Sequence, residues 1–204
     1  TTLTVNAPPG TFNPLAGDDV SVWVNASSQH DSLKYSRSKA RVIVNQKYDL
    51  AITGQNSKVG DISTAVYFYM NLTNRGNGQD NVRFDIPAMY GWIKPTVTPN
   101  TMTIDPGDGN MTPFTVKITI PSNAVSTEPY TFTLYANSSK SVGTYDYQTL
   151  TVNVNQVYNV KVEPQPGYST INTDAYPGII INWPVRIMNT GNGEDDFNIF
   201  VNAS

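Results

Sequence analysis

Asn71-Leu72-Thr73-Asn74-Arg75-Gly76-Asn77-Gly78-Gln79-Asp80-Asn81-Val82-Arg83-Phe84 returns 115 residues further on as Arg186-Ile187-Met188-Asn189-Thr190-Gly191-Asn192-Gly193-Glu194-Asp195-Asp196-Phe197-Asn198-Ile199. Each copy reads as a strand, a tight Gly/Asn turn and a second strand, because glycine and asparagine tolerate the backbone angles that reverse a chain in few residues. Self-similarity at so long an interval is the signature of an array built from one module.

Working outward, residues 64–73 alternate. Val66, Phe68, Met70 and Leu72 fall on one face, and Tyr67, Tyr69, Asn71 and Thr73 on the other. After the turn, Val82, Phe84 and Ile86 form an inner row that Pro87 ends. Gly91-Trp92-Ile93 follows, with Trp92 expected as a plug at one end of the core. Short strands are expected at 102–104, stopped by Asp105-Pro106-Gly107, and at 114–120, stopped by Pro121. Tyr130, Phe132, Leu134 and Ala136, then Leu150, Val152 and Val154, supply the last inner rows. About eight short strands with regular punctuation predict a sandwich. Only 122–128 could turn as a helix, for one turn at most.

The same unit brackets this stretch. Asn45-Gln46-Lys47-Tyr48-Asp49-Leu50 is echoed, 110 residues on, by Asn155-Gln156-Val157-Tyr158-Asn159-Val160, so a further module begins there with Ile181, Trp183, Val185 and Ile187 facing inward. Leu3-Thr4-Val5-Asn6-Ala7-Pro8 aligns with Val116-Lys117-Ile118-Thr119-Ile120-Pro121, and strands at 19–26 and 38–45 follow it. The expected organisation is the last three strands of one module over 1–46, a complete module over 47–156, and the first three strands of another over 157–204. Neither outer part can close a core by itself. Each would be completed by further chain on its own side, which the sequence favours, or by a neighbouring subunit, tail against head.

Composition narrows the class. The chain has 204 residues, a net charge of -3, 14% charged residues and no cysteine. No basic field invites nucleic acid, no disulfide can staple the fold, and no run of 18 apolar residues spans a membrane.

Together, Asn74-Arg75-Gly76-Asn77 after the long strand, Pro87 through Gly91-Trp92, Ile104-Asp105-Pro106-Gly107, Pro121, Tyr130 and the Ala136-Asn137-Ser138 exit resemble the Ig-like repeats of prokaryotic surface proteins. The similarity is to the domain associated with some alpha-galactosidases and to the CARDB type of adhesion-related domain, and it covers 47–156 with half-matches on either side. Glu128-Pro129 before Tyr130 departs from the glycine common there. The resemblance implies an all-β fold of antiparallel β-sandwich repeats in tandem, and a spacer or adhesion role rather than a chemistry.

Catalytic constellations are sparse. His30, the single histidine, sits in the polar loop Ser27-Ser28-Gln29-His30-Asp31, where nothing fixes a triad, and is expected at the surface. Zinc, copper, phosphate-loop and dinucleotide sites have no residues to build them. Two acidic clusters carry oxygens suited to a weak structural calcium: Asp105, Asp108 and Asn110, and Asn192, Glu194, Asp195 and Asp196, the latter mirrored by Asn77 and Asp80. The first is also a plain turn sequence. Trp23, Tyr67, Tyr69 and Phe200 fall on outward parity, and Tyr145 and Tyr147 stand near the start of the last strand. Such rings bind sugar, or shield a sheet or a neighbouring module.

N-glycosylation is the strongest chemical signal. Asn25, Asn71, Asn110, Asn137 and Asn202 all head Asn-X-Ser/Thr triplets. Four fall opposite the inner rows and Asn110 in a loop, so each can carry a glycan without entering the core. The expected protein is therefore non-enzymatic: a structural block of an extracellular or cell-surface assembly, such as an archaeal surface layer, filament or stalk. Its partners would be neighbouring copies or modules and its own covalent glycans. The alternative is an adhesin or a carbohydrate-binding accessory module, and a hydrolase is a distant third for want of paired carboxylates in a cleft.

Overall fold

The structure is a computed structural model that describes residues 15–107, 109–167 and 176–201, with Val20 described by its backbone alone. Every regular element among the described residues is a strand. Nine strands make the central body: β3 (Leu50–Gly54), β4 (Ser57–Gly60), β5 (Ala65–Asn74), β6 (Asp80–Asp85), β7 (Thr96–Thr98), β8 (Thr101–Ile104), β9 (Met111–Thr119), β10 (Tyr130–Ser138) and β11 (Tyr145–Val154). They form a five-stranded sheet, β4-β11-β10-β6-β8, facing a four-stranded one, β3-β5-β9-β7. Two hairpins flank this body, β1 (Asp19–Ser27) with β2 (Tyr35–Ile43), and β12 (Val160–Pro164) with β13 (Val185–Asn189).

The core follows from alternation. Phe68, Met70 and Leu72 of β5, Val116 and Ile118 of β9, Phe132 and Leu134 of β10, and Leu150 and Val152 of β11 are all buried. Phe84 stacks on Phe114 across the two sheets, 4.3 Å between ring centres. Burial of each such side chain contributes about 1.5–3 kcal/mol, which a cysteine-free fold must draw on. Tyr67 and Tyr69 face solvent, as the parity requires. Trp92 plugs one end of the core against Tyr130 and Phe132, 4.4 and 5.5 Å between ring centres.

Two expectations need correction. The body has nine strands rather than eight: β4 and β7, with too few apolar residues to show an inner row, were not foreseen, and Gly91-Trp92-Ile93 is not a strand. The pairing is not antiparallel throughout either: β4 runs parallel to β11. The chain leaves β3 at Gly54, which has a φ of +141° and no room for a Cβ beside the Tyr69 carbonyl, and crosses to the opposite sheet without reversing.

The flanking hairpins repeat the body's registers. Val20 opposite Val42 and Ser27 opposite Tyr35 match, 110 residues on, Tyr130 opposite Val152 and Asn137 opposite Tyr145. Likewise Val162 opposite Ile187 matches Ile52 opposite Leu72. The inner rows differ in cover. Val66, Phe68, Met70 and Leu72 are buried, whereas their counterparts Ile181, Trp183 and Val185 are 46, 53 and 47% exposed.

Candidate functional site: a junction built twice

The Gly/Asn turn between β5 and β6 is organised by two asparagine side chains. Asn74 is buried; its Oδ1 accepts from the Gly76 N–H at 2.9 Å, and its Nδ2 donates to the carbonyls of Gly78 at 2.8 Å and Ile104 at 3.2 Å. The turn is thereby closed by a side chain that imitates backbone, the property that suits asparagine to reversals. Asn189 repeats the bonds to Gly191 N–H at 2.8 Å and to the Gly193 carbonyl at 2.7 Å.

Asn77 points the other way, into the linker at 45–47 that precedes β3. Its Oδ1 accepts from the Lys47 N–H at 2.7 Å and its Nδ2 donates to the Asn45 carbonyl at 3.1 Å, while its backbone N–H donates to the Lys47 carbonyl at 3.2 Å. Asn192 makes the same three bonds with Val157 and Asn155, at 2.6, 3.0 and 3.2 Å. Gln46 donates to the Gln79 carbonyl at 3.0 Å, and Gln156 to that of Glu194 at 2.6 Å.

A third segment closes each join. The Asn77 carbonyl accepts from the Ala16 N–H, and the Asn192 carbonyl from the Ser126 N–H, both at 2.8 Å. Ala16 and Ser126 precede β1 and β10, so both bonds reach back across the linker. Asn192 adds a bond from its Nδ2 to the Ala124 carbonyl at 3.3 Å. The glycines are required by this closeness. A Cβ on Gly76 would collide with the Lys47 carbonyl, and one on Gly191 with that of Val157. Gly78 lies against Ala16 and Gln46, and Gly193 against Ser126 and Gln156, in the same way. The linker is thus held on both sides by backbone-quality hydrogen bonds, which a Gly/Ser spacer would not provide.

Other candidate residues are placed as follows. The Asp105 carboxylate accepts from Gln79 Nε2 at 2.9 Å, and Asn110 Nδ2 donates to the Pro106 carbonyl at 3.3 Å, while Asp108 lies outside the described residues. Asp80 is buried at the head of β6, its Oδ1 accepting from Ser138 Oγ at 2.9 Å and the Asn81 N–H at 2.8 Å. Glu194 and Asp196 are exposed and Asp195 half-buried. Among the described residues, no three carboxylate, histidine or cysteine groups gather so as to hold a metal ion. Asn192, and Asn77 in the matching turn, spend their side-chain amides on the linkers. His30 is exposed in the β1–β2 turn, where Ser28 Oγ accepts from its backbone N–H at 3.2 Å. Asn25 and Asn110 are exposed and Asn71 and Asn137 half-buried, while Asn202 lies outside the described residues. No helix among the described residues is long and apolar enough to cross a membrane.

The outer face of the five-stranded sheet carries a ring cluster that the sequence only half revealed. Tyr135 lies 6.3 Å from Tyr145 and 6.1 Å from Tyr147, centre to centre. Asn137 is the register partner of Tyr145, so this acceptor stands beside the cluster.

No protein-family model matches the chain, and no curated protein does. Solved structures similar to it include the SrpA adhesin from Streptococcus sanguinis, at 15% identity and a TM-score of 0.40, covering 63% of this chain and 68% of that one. The R347E mutant of that adhesin matches over 58% of its length, so the chain spans less than two thirds of it. Domains 4 and 5 of the S-layer protein SbsC match at 15% identity, with 58% of each chain covered and a TM-score of 0.32. The native E. coli alpha-2-macroglobulin matches at 12% identity over 72% of this chain and 9% of that one, with a TM-score of 0.33. At such identities and scores the likenesses carry no argument about what this chain does.

Proposed function

We propose that the chain is a structural building block of an extracellular or cell-surface assembly, a surface layer, filament or stalk made of glycosylated Ig-like modules in tandem. The observation that carries this reading is the junction, which holds the linkers at 45–47 and 155–157 with the same hydrogen bonds. A joint that fixes one module to the next suits an array bearing load or keeping spacing. The flanking hairpins are parts of neighbouring modules, and the outward asparagines carry N-linked glycans. Weak structural calcium at the Asp105 turn remains compatible with this role and is not needed for it.

The reading is tested on the native organism. Surface labelling, cell fractionation and the intact mass of the denatured chain should place it outside the cell, in a longer assembly, with sugar mass on its peptides. A cytosolic, unmodified protein would sink it. A second reading, an adhesin or carbohydrate-binding accessory module, draws on the exposed Tyr145 and Tyr147 beside Tyr135. Binding to soluble glycans that Tyr147→Ala abolishes would favour it.

A further inference from the structure

Four of the five acceptor asparagines have an aromatic residue two positions earlier: Trp23-Val24-Asn25, Tyr69-Met70-Asn71, Tyr135-Ala136-Asn137 and Phe200-Val201-Asn202. Aromatics make up 11% of the chain, so this placement is far denser than composition supplies. The fifth acceptor, Asn110, lies in a loop and has Asp108 at that position.

Three of the pairs lie in strands of the described structure, β1, β5 and β10. Residues two apart in a strand share a face and stand about 6.5–7 Å apart. Each ring is therefore beside its asparagine on the outer surface. Trp23 is 51% and Tyr69 63% exposed, and Tyr135 is half-buried among tyrosines. The pairs are not copies carried by the repeat. By the shared hairpin register, Asn25 corresponds to Tyr135, and Asn137 to Ser27. The 115-residue repeat sets Arg186 where Asn71 stands. Each ring–acceptor pair thus stands at a different place on the repeat.

An outward ring on a sheet can simply shield its neighbours. That explains an aromatic on an outer face, but not its spacing from an acceptor. A pyranose offers an apolar C–H face, and a ring offers a flat surface of complementary polarity. We propose that Trp23, Tyr69 and Tyr135 are stacking platforms for the first sugar of N-linked glycans on Asn25, Asn71 and Asn137. This rests on the acceptor reading above. In the transfer, the bond from Asn Nδ2 to sugar C1 forms as C1 leaves the phosphate oxygen of a lipid-linked oligosaccharide. The amide proton passes to the transferase and the lipid phosphate departs. The sugar then covers a ring that water would otherwise hydrate, and the outer sheet face is closed by carbohydrate.

Arg37 lies 4.8 Å and Lys39 5.7 Å from the Trp23 ring centre, and Lys58 lies 6.0 Å from that of Tyr69. Tyr135, flanked by Tyr145 and Tyr147, is thus the site to test. The chain is expressed in its native host unaltered, as Tyr135→Ala, as Ser139→Ala, which removes the acceptor triplet while keeping Asn137, and as the double variant. Peptide mass gives occupancy, thermal midpoints give stability, and NMR gives the shifts of the first sugar's ring protons. The expected result is an occupied Asn137 whose sugar protons move upfield and return to ordinary positions in Tyr135→Ala. Tyr135→Ala should lower the midpoint more in the glycosylated chain than in the Ser139→Ala background. Occupied Asn137 with sugar shifts indifferent to Tyr135→Ala would overturn the stacking and leave the acceptor reading standing. Bare asparagine at Asn25, Asn71 and Asn137 in native material would overturn both.

Discussion

Asn77 and Asn192 show how much one polar side chain can organise. Each amide uses its oxygen and its nitrogen on two different backbone groups of a linker some thirty residues earlier in the chain. Alanine would leave a linker N–H and a carbonyl without those partners. Asn77→Ala should therefore cost about 1–2 kcal/mol in urea unfolding, since a net hydrogen bond is worth about 0.5–1.5 kcal/mol. Asp would keep the acceptor and lose the donor, and should fall between the two. An Asn77→Ala midpoint equal to that of the unaltered chain would mean the linker bonds contribute nothing.

Among the elements, β5 and β10 were plain in the sequence because strict alternation marks a strand with one buried face. Val66, Phe68, Met70 and Leu72 of the inner row expected in β5 are buried, as are Phe132, Leu134 and Ala136 in β10, while Tyr130 at the head of β10 is half-buried against the core. β4 was not legible: Ser57-Lys58-Val59-Gly60 holds one apolar side chain, and Val59 is 61% exposed. Its place is dictated from outside, by the free edge of β11 and the sheet switch at Gly54. The junction was legible only as a repeated turn. Asn192 sits among acidic residues and reads as a cation ligand, because the backbone groups it bonds to are distant in sequence. The co-repeat of Asn45-Gln46 and Asn155-Gln156 with the two turns was the signal that could have joined them. The element-level prediction follows from burial. Phe132→Ala should cost about 3–5 kcal/mol, as large-to-small changes in a closed core do, whereas Tyr67→Ala on the outer face of β5 should stay within about 0.5 kcal/mol. Equal costs for the two, measured by urea titration, would place the register off by one.

At the scale of the molecule, two kinds of surface coexist. The central sandwich hides its inner rows, while Val160, Val162, Trp183, Val185 and Ile199 leave apolar surface uncovered beyond it. Contiguous apolar surface of that kind binds partners or aggregates. The isolated 204-residue chain should therefore bind an apolar fluorescent dye and associate as its concentration rises, and a shortened chain of residues 45–156 should do neither. Dye binding by the shortened chain at the level of the full one would locate the exposed surface in the sandwich instead. The absence of cysteine also opens a direct route to the joint itself, because spin labels can be attached at introduced cysteines alone. With labels at Ser36→Cys on β2 and Thr149→Cys on β11, pulsed electron resonance reads the spread of distances across the linker at 45–47. A single narrow distribution in the unaltered background, broadened by Asn77→Ala, is the result a fixed tandem joint predicts. A broad distribution that Asn77→Ala leaves unchanged would contradict it.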